Sequence, residues 1–512
     1  MPWQKLEAFL AALFIFSLPF ETRIVLHATD PFNEWQSVFL YASDVLFVVL
    51  LAVGFLSHTQ AKEMSSRALQ QRGERSLAAA RDDSRERWTP WKPGLNSVRK
   101  KLFILAVIFF IAVVISTLVG NNHLPGWYHV VKIAEGILLF YYIAVRMPLI
   151  LPQKKIIWLL VSTGIAQSII GFAQFAMQSS LGLRIFRESP LVIGDDRVAQ
   201  IMVNGARMIR AYGTMPSPNV LAGFLSVALF FSFFLFLEYK GNKKIQALIA
   251  VCQFVLLCGL FVTFSRGVLL TFLVLSLVVF TYLLSNAQHG LSSRARRERS
   301  LGVTTPRDDI QIYNSYKRSL TFLAAIFIIQ ILFLTILLWP ELSARAMAIE
   351  AGGEAAVGER YLFNVVGIEA IKQHPLWGVG LGNFTSYFRE TFTYLKDSIY
   401  QPIHNIYLLI AAESGISAAI IFISFLGSLI GGLLRELWSV RHCKGVYPEL
   451  VEGRQSRSDI IAKVFLFCTL LFVVLAGMYD HYFWTIQQTN LLFWLVAGLA
   501  AGFNVYKGSC SG

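Results

Sequence analysis

Long apolar runs recur from one end of the chain to the other, and that pattern restricts what it can fold into. Twelve can be marked, at roughly 6–20, 36–56, 102–119, 130–147, 156–178, 219–238, 245–264, 268–284, 320–339, 405–434, 464–479 and 488–506. Most are long enough to cross a hydrocarbon core of about 30 Å as a helix rising about 1.5 Å per residue. Inside lipid every backbone N–H and C=O needs a partner within the protein, and a helix supplies one for each. Hydrophobic residues make up 55% of the 512 and aromatics 14%, well above the usage of a water-soluble domain. The expectation is an all-α polytopic membrane protein of about twelve transmembrane helices, a single integral membrane domain over 1–512. The first run is the weakest, because Pro19 and flanking charges shorten it. A signal peptide would need an Ala-x-Ala-type cleavage site, which is missing after Phe20.

Basic residues set the orientation. With the N-terminus in the cytoplasm and the runs alternating, 32 of the 45 Lys and Arg fall on the cytoplasmic side, most of them in two loops at 57–101 and 285–318. Cytoplasmic loops of membrane proteins carry this excess, so both termini are expected in the cytoplasm. The net charge of +14 is then a topology signal; no nucleic-acid-binding module surrounds the basic loops, and at most they attract anionic membrane lipids. Segments 72–87 and 297–309 echo each other as Glu-Arg-Ser-Leu followed by Arg-Asp-Asp and read as polar inserts without chemistry.

Familiar reactive signatures are missing. No cysteine lies in an external loop and no Cys-x-x-Cys occurs, which leaves no disulfide framework and no thiolate metal pair. There is no phosphate-binding Gly-x-x-x-x-Gly-Lys-Ser/Thr, no His-Glu-x-x-His and no Asp-x-Asp, so no ATP, nucleotide-sugar or metal cofactor is expected.

The external side carries two substantial loops, 179–218 and 340–404. The first ends in Arg210-Ala211-Tyr212-Gly213-Thr214-Met215-Pro216-Ser217-Pro218-Asn219, with Arg210 just above the bilayer and Asn219 where a helix N-cap would sit. Arg266, in Thr263-Phe264-Ser265-Arg266-Gly267, occupies a tight external hairpin, where the positive-inside bias disfavours a mere anchor. Arg360 opens a helical-looking run that His374-Pro375 ends, and the alternating glycines of Gly378-Val379-Gly380-Leu381-Gly382 follow as a tight turn. His404, in Gln401-Pro402-Ile403-His404-Asn405-Ile406-Tyr407, is a titratable group at the membrane boundary, where the second loop meets an apolar helix. On that helix Ala411, Gly415 and Ala419, continued by Gly427 and Gly431, form a small-residue stripe of the kind that packs membrane helices. Glu413 lies on another face and deeper, and reads as a buried polar tie.

These residues resemble the O-antigen ligase and polymerase superfamily. The likeness rests on Phe264-Ser265-Arg266-Gly267, on Arg360 with His374-Pro375-Leu376-Trp377-Gly378-Val379-Gly380-Leu381-Gly382-Asn383, on His404-Asn405-x-Tyr407-Leu408 with Glu413-x-Gly415, and on the turn from Gly213 to Asn219. It spans about 205–425. It implies a GT-C-like membrane enzyme of the bacterial inner membrane with a helical periplasmic loop. Such an enzyme moves a glycan from undecaprenyl diphosphate to an acceptor hydroxyl, on lipid A–core, another glycan or a protein, with neither metal nor nucleotide. On that resemblance Arg266 and Arg360, with Arg210 third, would meet the diphosphate. His404 would take the acceptor proton or only orient the acceptor, and Asn219, Asn405, Tyr407 and Glu413 would support. Ligase, polymerase and protein O-glycosylation stay open. The competing class is a transporter or flippase; against it, ionisable residues at membrane depth are few (Asp44, Glu135, Glu413) and no internal repeat is evident.

Overall fold

The structure is a computed structural model that describes residues 2–29, 32–76, 97–301, 307–350, 355–395, 400–446 and 454–502. Its elements in chain order are α1 (Pro2–Ser17), β1 (Arg23–His27), β2 (Val38–Tyr41), α2 (Ala42–Ser76), α3 (Ser97–Val119), α4 (His123–Tyr141), a π turn (Tyr142–Arg146), α5 (Met147–Ile150) and α6 (Gln153–Met177). Then come β3 (Gln200–Val203), β4 (Ala206–Ile209), α7 (Pro218–Glu238), α8 (Lys243–Phe261), α9 (Arg266–Leu301), α10 (Arg307–Leu337), α11 (Trp339–Glu350), α12 (Ala355–Gln373) and α13 (Phe384–Thr391). The last are α14 (Ile406–Val446), α15 (Arg454–Ala476), α16 (Tyr482–Thr485) and α17 (Gln487–Gly502). The chain is an all-α polytopic membrane protein whose strands, among the described residues, form only two short hairpins, β1–β2 and β3–β4. The parts of the two echoed inserts at 77–87 and 302–306 lie outside the described residues.

Ten described helices are long and apolar enough to span a membrane. The other two of the twelve expected spans correspond to α1 and α17, of 16 residues each. All 16 described residues of α17 are buried in protein, whereas α1 leaves Leu6, Phe9, Leu13 and Phe16 exposed. The run expected at 36–56 likewise begins as strand β2, and its helix starts at Ala42.

Burial divides the bundle. The whole apolar window of α7 is buried, whereas only 22% of that of α10 is. Consecutive Phe and Leu from Phe233 to Leu237 suit a helix enclosed on every side, since no face needs polarity. Packed against α6, α8, α9 and α15, α7 forms a pillar, and its first turn lies beneath the polar chemistry.

One long helix breaks where the site requires it. Gly415 in α14 has φ +86° and ψ 164°, outside the helical region. A Cβ there would lie 2.0 Å from the Leu376 carbonyl oxygen, so only glycine lets the 374–378 turn seat against the helix. Gly378, Gly380 and Gly382 all have positive φ. Val379 and Gly380 donate to the carbonyls of Ala412 and Glu413 at 2.9 and 3.0 Å. The small-residue stripe is therefore no continuous helix seam: Gly415 is a chain break, and Cβ atoms at Gly427 and Gly431 would meet open space.

Candidate functional site

Three segments converge at one end of the bundle. The first is the turn into α7, where Pro218 occupies the first helical position and Ser217 caps, its side chain accepting from the Val220 N–H. Asn219 is thus not the cap, and its amide is released to work elsewhere. Its Oδ1 accepts from Arg210 Nη2 at 3.0 Å and from Ser265 Oγ at 2.9 Å. Its Nδ2 donates to Asp480 Oδ2 at 2.9 Å. Arg210 is buried and also donates Nε to the Thr263 carbonyl at 2.6 Å. One asparagine therefore ties a buried guanidinium, the α8–α9 turn and a buried carboxylate together.

The second segment is the entry to α14. Asn405 caps it, accepting from the Leu408 N–H at 3.0 Å while donating Nδ2 to the Met478 carbonyl at 3.1 Å. Ile406 donates its N–H to Gly477 and Tyr407 its hydroxyl to the Val474 carbonyl, at 2.8 and 2.7 Å. Asn405 and Tyr407 thus fix the helix start against the end of α15 and the turn after it. His404 itself stacks on Phe363 of α12 with centroids 5.6 Å apart and meets the His481 ring edge-on at 4.7 Å.

The third segment is the turn between α15 and α16, carrying Asp480 and His481, both buried. Ring nitrogens of His404 and His481 and a carboxylate oxygen of Asp480 lie within 4.8 Å of one another. Arg360, whose side chain keeps 40% of its surface exposed, approaches Asp480 Oδ2 at 3.8 Å. That is an ion pair too long for a hydrogen bond, so the guanidinium donors stay available.

Electrostatics separate the two histidines. Burial lowers the His404 pKa below its ordinary value and Arg360 adds to this, while the Asp480 carboxylate pulls the other way. His481 is driven down to about 3 by burial and by His404. Burial pushes Asp480 up, but the combined pull of His404, His481, Arg360 and the Asn219 amide holds it below the usual carboxylate range. Nδ1 of His481 is engaged by Thr485 Oγ1 at 2.5 Å, whereas Nδ1 of His404 has no hydrogen-bond partner among the described residues. His404 is the freer base of the two.

The trio has a donor set that suits a cation. The same Asp480 oxygen is already engaged by the Asn219 amide and faced by the Arg360 charge. A metal ion there would compete with both.

Residues 250–423 match the family model described as O-antigen ligase. The chain thus contains a region similar to O-antigen ligases, covering about a third of its length. No curated protein matches the sequence. That likeness supports an O-antigen ligase-like membrane glycosyltransferase, a family whose substrates are a lipid-linked glycan and an acceptor. The matched stretch contains Arg266, Arg360, His404 and Glu413, while Arg210, Asn219, Asp480 and His481 lie outside it.

The structure brings Arg210, Asn219, Arg360 and His404 to one place through Asp480. Arg266 follows Ser265, the Asn219 partner, and donates Nη1 to the Arg345 carbonyl of α11 at 2.7 Å. Glu413 is set apart: its Oε1 accepts from the Phe384 N–H at 3.4 Å and its carbonyl from Ser116 Oγ at 2.8 Å, so it ties α3 and the glycine turn to α14. Sequence reasoning missed Asp480 and His481. The signal was there, two adjacent titratable residues in a short turn between the last two apolar runs.

Proposed function

We propose that the chain transfers a glycan from undecaprenyl diphosphate to an acceptor hydroxyl at the periplasmic face of the bacterial inner membrane, with both termini cytoplasmic. The observation that carries this reading is a less-engaged histidine beside a buried carboxylate, with guanidinium donors open on the same edge. His404 takes the proton from the acceptor hydroxyl, and Asp480 stabilises the imidazolium that forms. The acceptor oxygen bonds to the anomeric carbon as the bond from that carbon to the diphosphate oxygen breaks. Undecaprenyl diphosphate leaves with the electron pair, and its growing charge is met by Arg266 and Arg360, whose planar forks suit phosphate oxygens. Arg210, buried and donating to Thr263 and Asn219, holds the floor of the site rather than the leaving group.

This chemistry needs no metal, because guanidinium charge stands where a Lewis acid would. The Arg360 pairing with Asp480 supports that reading. Asp44 and Glu135, the ionisable groups that a transporter reading would use, are instead engaged with Lys132 and with Gln487, whose Nε2 donates to them at 2.7 and 3.1 Å.

The test uses the purified full chain in lipid nanodiscs with a labelled undecaprenyl diphosphate-linked glycan and each acceptor class in turn: lipid A–core, a second lipid-linked glycan, or a serine/threonine peptide. Release of undecaprenyl diphosphate with glycan transfer, unaffected by a chelator and abolished in a folded His404→Ala variant, is the expected result. Movement of the intact lipid-linked glycan across the bilayer without release would establish transport instead. Loss of transfer on chelation, restored by a divalent cation, would overturn the metal-independent mechanism.

A further inference from the structure

Next to His481, across the Trp35 ring, lies a shallow, solvent-facing cleft outside the family-matched stretch. Its walls come from the β1–β2 hairpin, the start of α4 and the α16–α17 turn. The Trp35 ring meets His481 edge-on with centroids 5.2 Å apart, and Thr485, the hydroxyl partner of His481, lines the same space. The cleft and the reacting histidines therefore share one wall.

Its chemistry differs from that of the arginine side. Arg23, the cation within it, is spent: Nη2 lies 2.9 Å from Glu21 and 2.6 Å from Glu34, and Nη1 donates to the Tyr41 hydroxyl at 3.0 Å. With two carboxyl groups against one guanidinium, the cleft does not attract a diphosphate. Aromatic surface from Trp35, Tyr41 and Tyr128 faces it, and Glu34 stands at the rim with 36% of its side chain exposed. Gln488 lines it too, 2% exposed, and its Nε2 has no hydrogen-bond partner among the described residues. A buried amide donor without a partner costs about 1–3 kcal/mol, so a ligand that accepts from it is favoured.

Aromatic faces for C–H surfaces, carboxylate and amide groups for hydroxyls, and no free positive charge are the features of a site for a neutral sugar. We propose that this cleft is the acceptor subsite, holding an uncharged sugar of the acceptor glycan between Trp35 and Tyr128, with Gln488 and Glu34 reading its hydroxyls. The assignment rests on the glycan-transfer reading above and adds to it where the acceptor lies: the donor binds on the arginine side, the acceptor on the Trp35 side, and the histidine pair stands between them.

Two measurements keep the subsite separate from the reaction. The first is direct binding of lipid A–core oligosaccharide, freed of its lipid, to the full chain in nanodiscs. Gln488→Met and Glu34→Gln should each weaken binding by about three- to tenfold, one hydrogen bond apiece. The second is steady-state transfer, in which both variants should raise the acceptor KM and leave the donor KM alone. Unchanged oligosaccharide binding in both variants, or a rise in the donor KM only, would overturn the subsite. If the oligosaccharide binds as expected but no glycan is transferred under any condition, the subsite stands and the transferase reading fails.

Discussion

A pair of substitutions that move the His404 titration in opposite directions probes the site most sharply. The base works only when neutral, so activity is lost as pH falls through its pKa. Burial and Arg360 hold that pKa below about 6.5 while Asp480 pulls it upward. The nitrogen and carboxylate lie within 4.8 Å, and an opposite charge at that range shifts a pKa by about 1–3 units. Asp480→Asn keeps the shape and an acceptor for the Asn219 amide but removes the charge. The acid limb of kcat/KM should therefore fall by about 1–3 pH units. Each unit is about 1.4 kcal/mol of imidazolium stabilisation. If the imidazolium forms in the transition state, the plateau rate should drop by about ten- to a thousandfold. Arg360→Gln removes the charge that lowers the pKa, so its limb should move to higher pH. The assay is release of undecaprenyl diphosphate between about pH 4 and 9, on variants shown to be folded by size-exclusion profile. Limbs that stay put in both variants, or that move the same way, would refute His404 as the titrating base.

Other substitutions follow the geometry. Arg266→Lys and Arg360→Lys should each restore little of the transfer lost in the alanine variants, since an ammonium lacks the bidentate fork; normal turnover with lysine would reduce the arginines to anchors. Asn219→Ala should lower the thermal unfolding midpoint as well as activity, because hydrogen bonds to a buried arginine and a buried aspartate are lost at about 1.5–3 kcal/mol each; an unchanged midpoint would deny Asn219 its bridging role. Gly415→Ala should abolish folded yield through its 2.0 Å clash, whereas Gly427→Ala, whose Cβ meets open space, should be tolerated or raise stability by up to about 1 kcal/mol; equal effects would contradict the break in α14.

The sequence made the fold legible where one rule governs, and less so where packing decides. Apolar run length identifies helices that need lipid on one side, but cannot separate them from helices sheathed by protein. That is why α17, whose described residues are all buried, reads from the sequence like any other span. Arg210, Arg360 and His404 could be picked out because charge near an apolar boundary is costly and stands out. The use of Asn219 was not readable, because the capping rule fits Asn as well as Ser and only the fold shows that Ser217 took that role. Asp480 stayed hidden for another reason: it lies some 76 positions beyond His404 in the chain, and their meeting depends on the Gly477–Met478 turn binding the start of α14. Asn405 and Tyr407 illustrate the converse, since both belong to the quoted motif yet act by fixing that turn.

The Arg360–Asp480 spacing has a consequence for the order of events on the proposed mechanism. At 3.8 Å the guanidinium is attracted to Asp480 without its donors being consumed, and its partial exposure leaves it open to an arriving anion. With no donor bound, Arg360 depresses the basicity of His404 and occupies part of the field of Asp480. A diphosphate that pairs with Arg360 neutralises that charge, and the carboxylate then acts on the histidine with less competition. The base gains strength only once the leaving group is in place. An acceptor hydroxyl, or water, meeting the site before the donor therefore finds His404 at its weakest, which couples proton abstraction to donor binding without requiring the backbone to move.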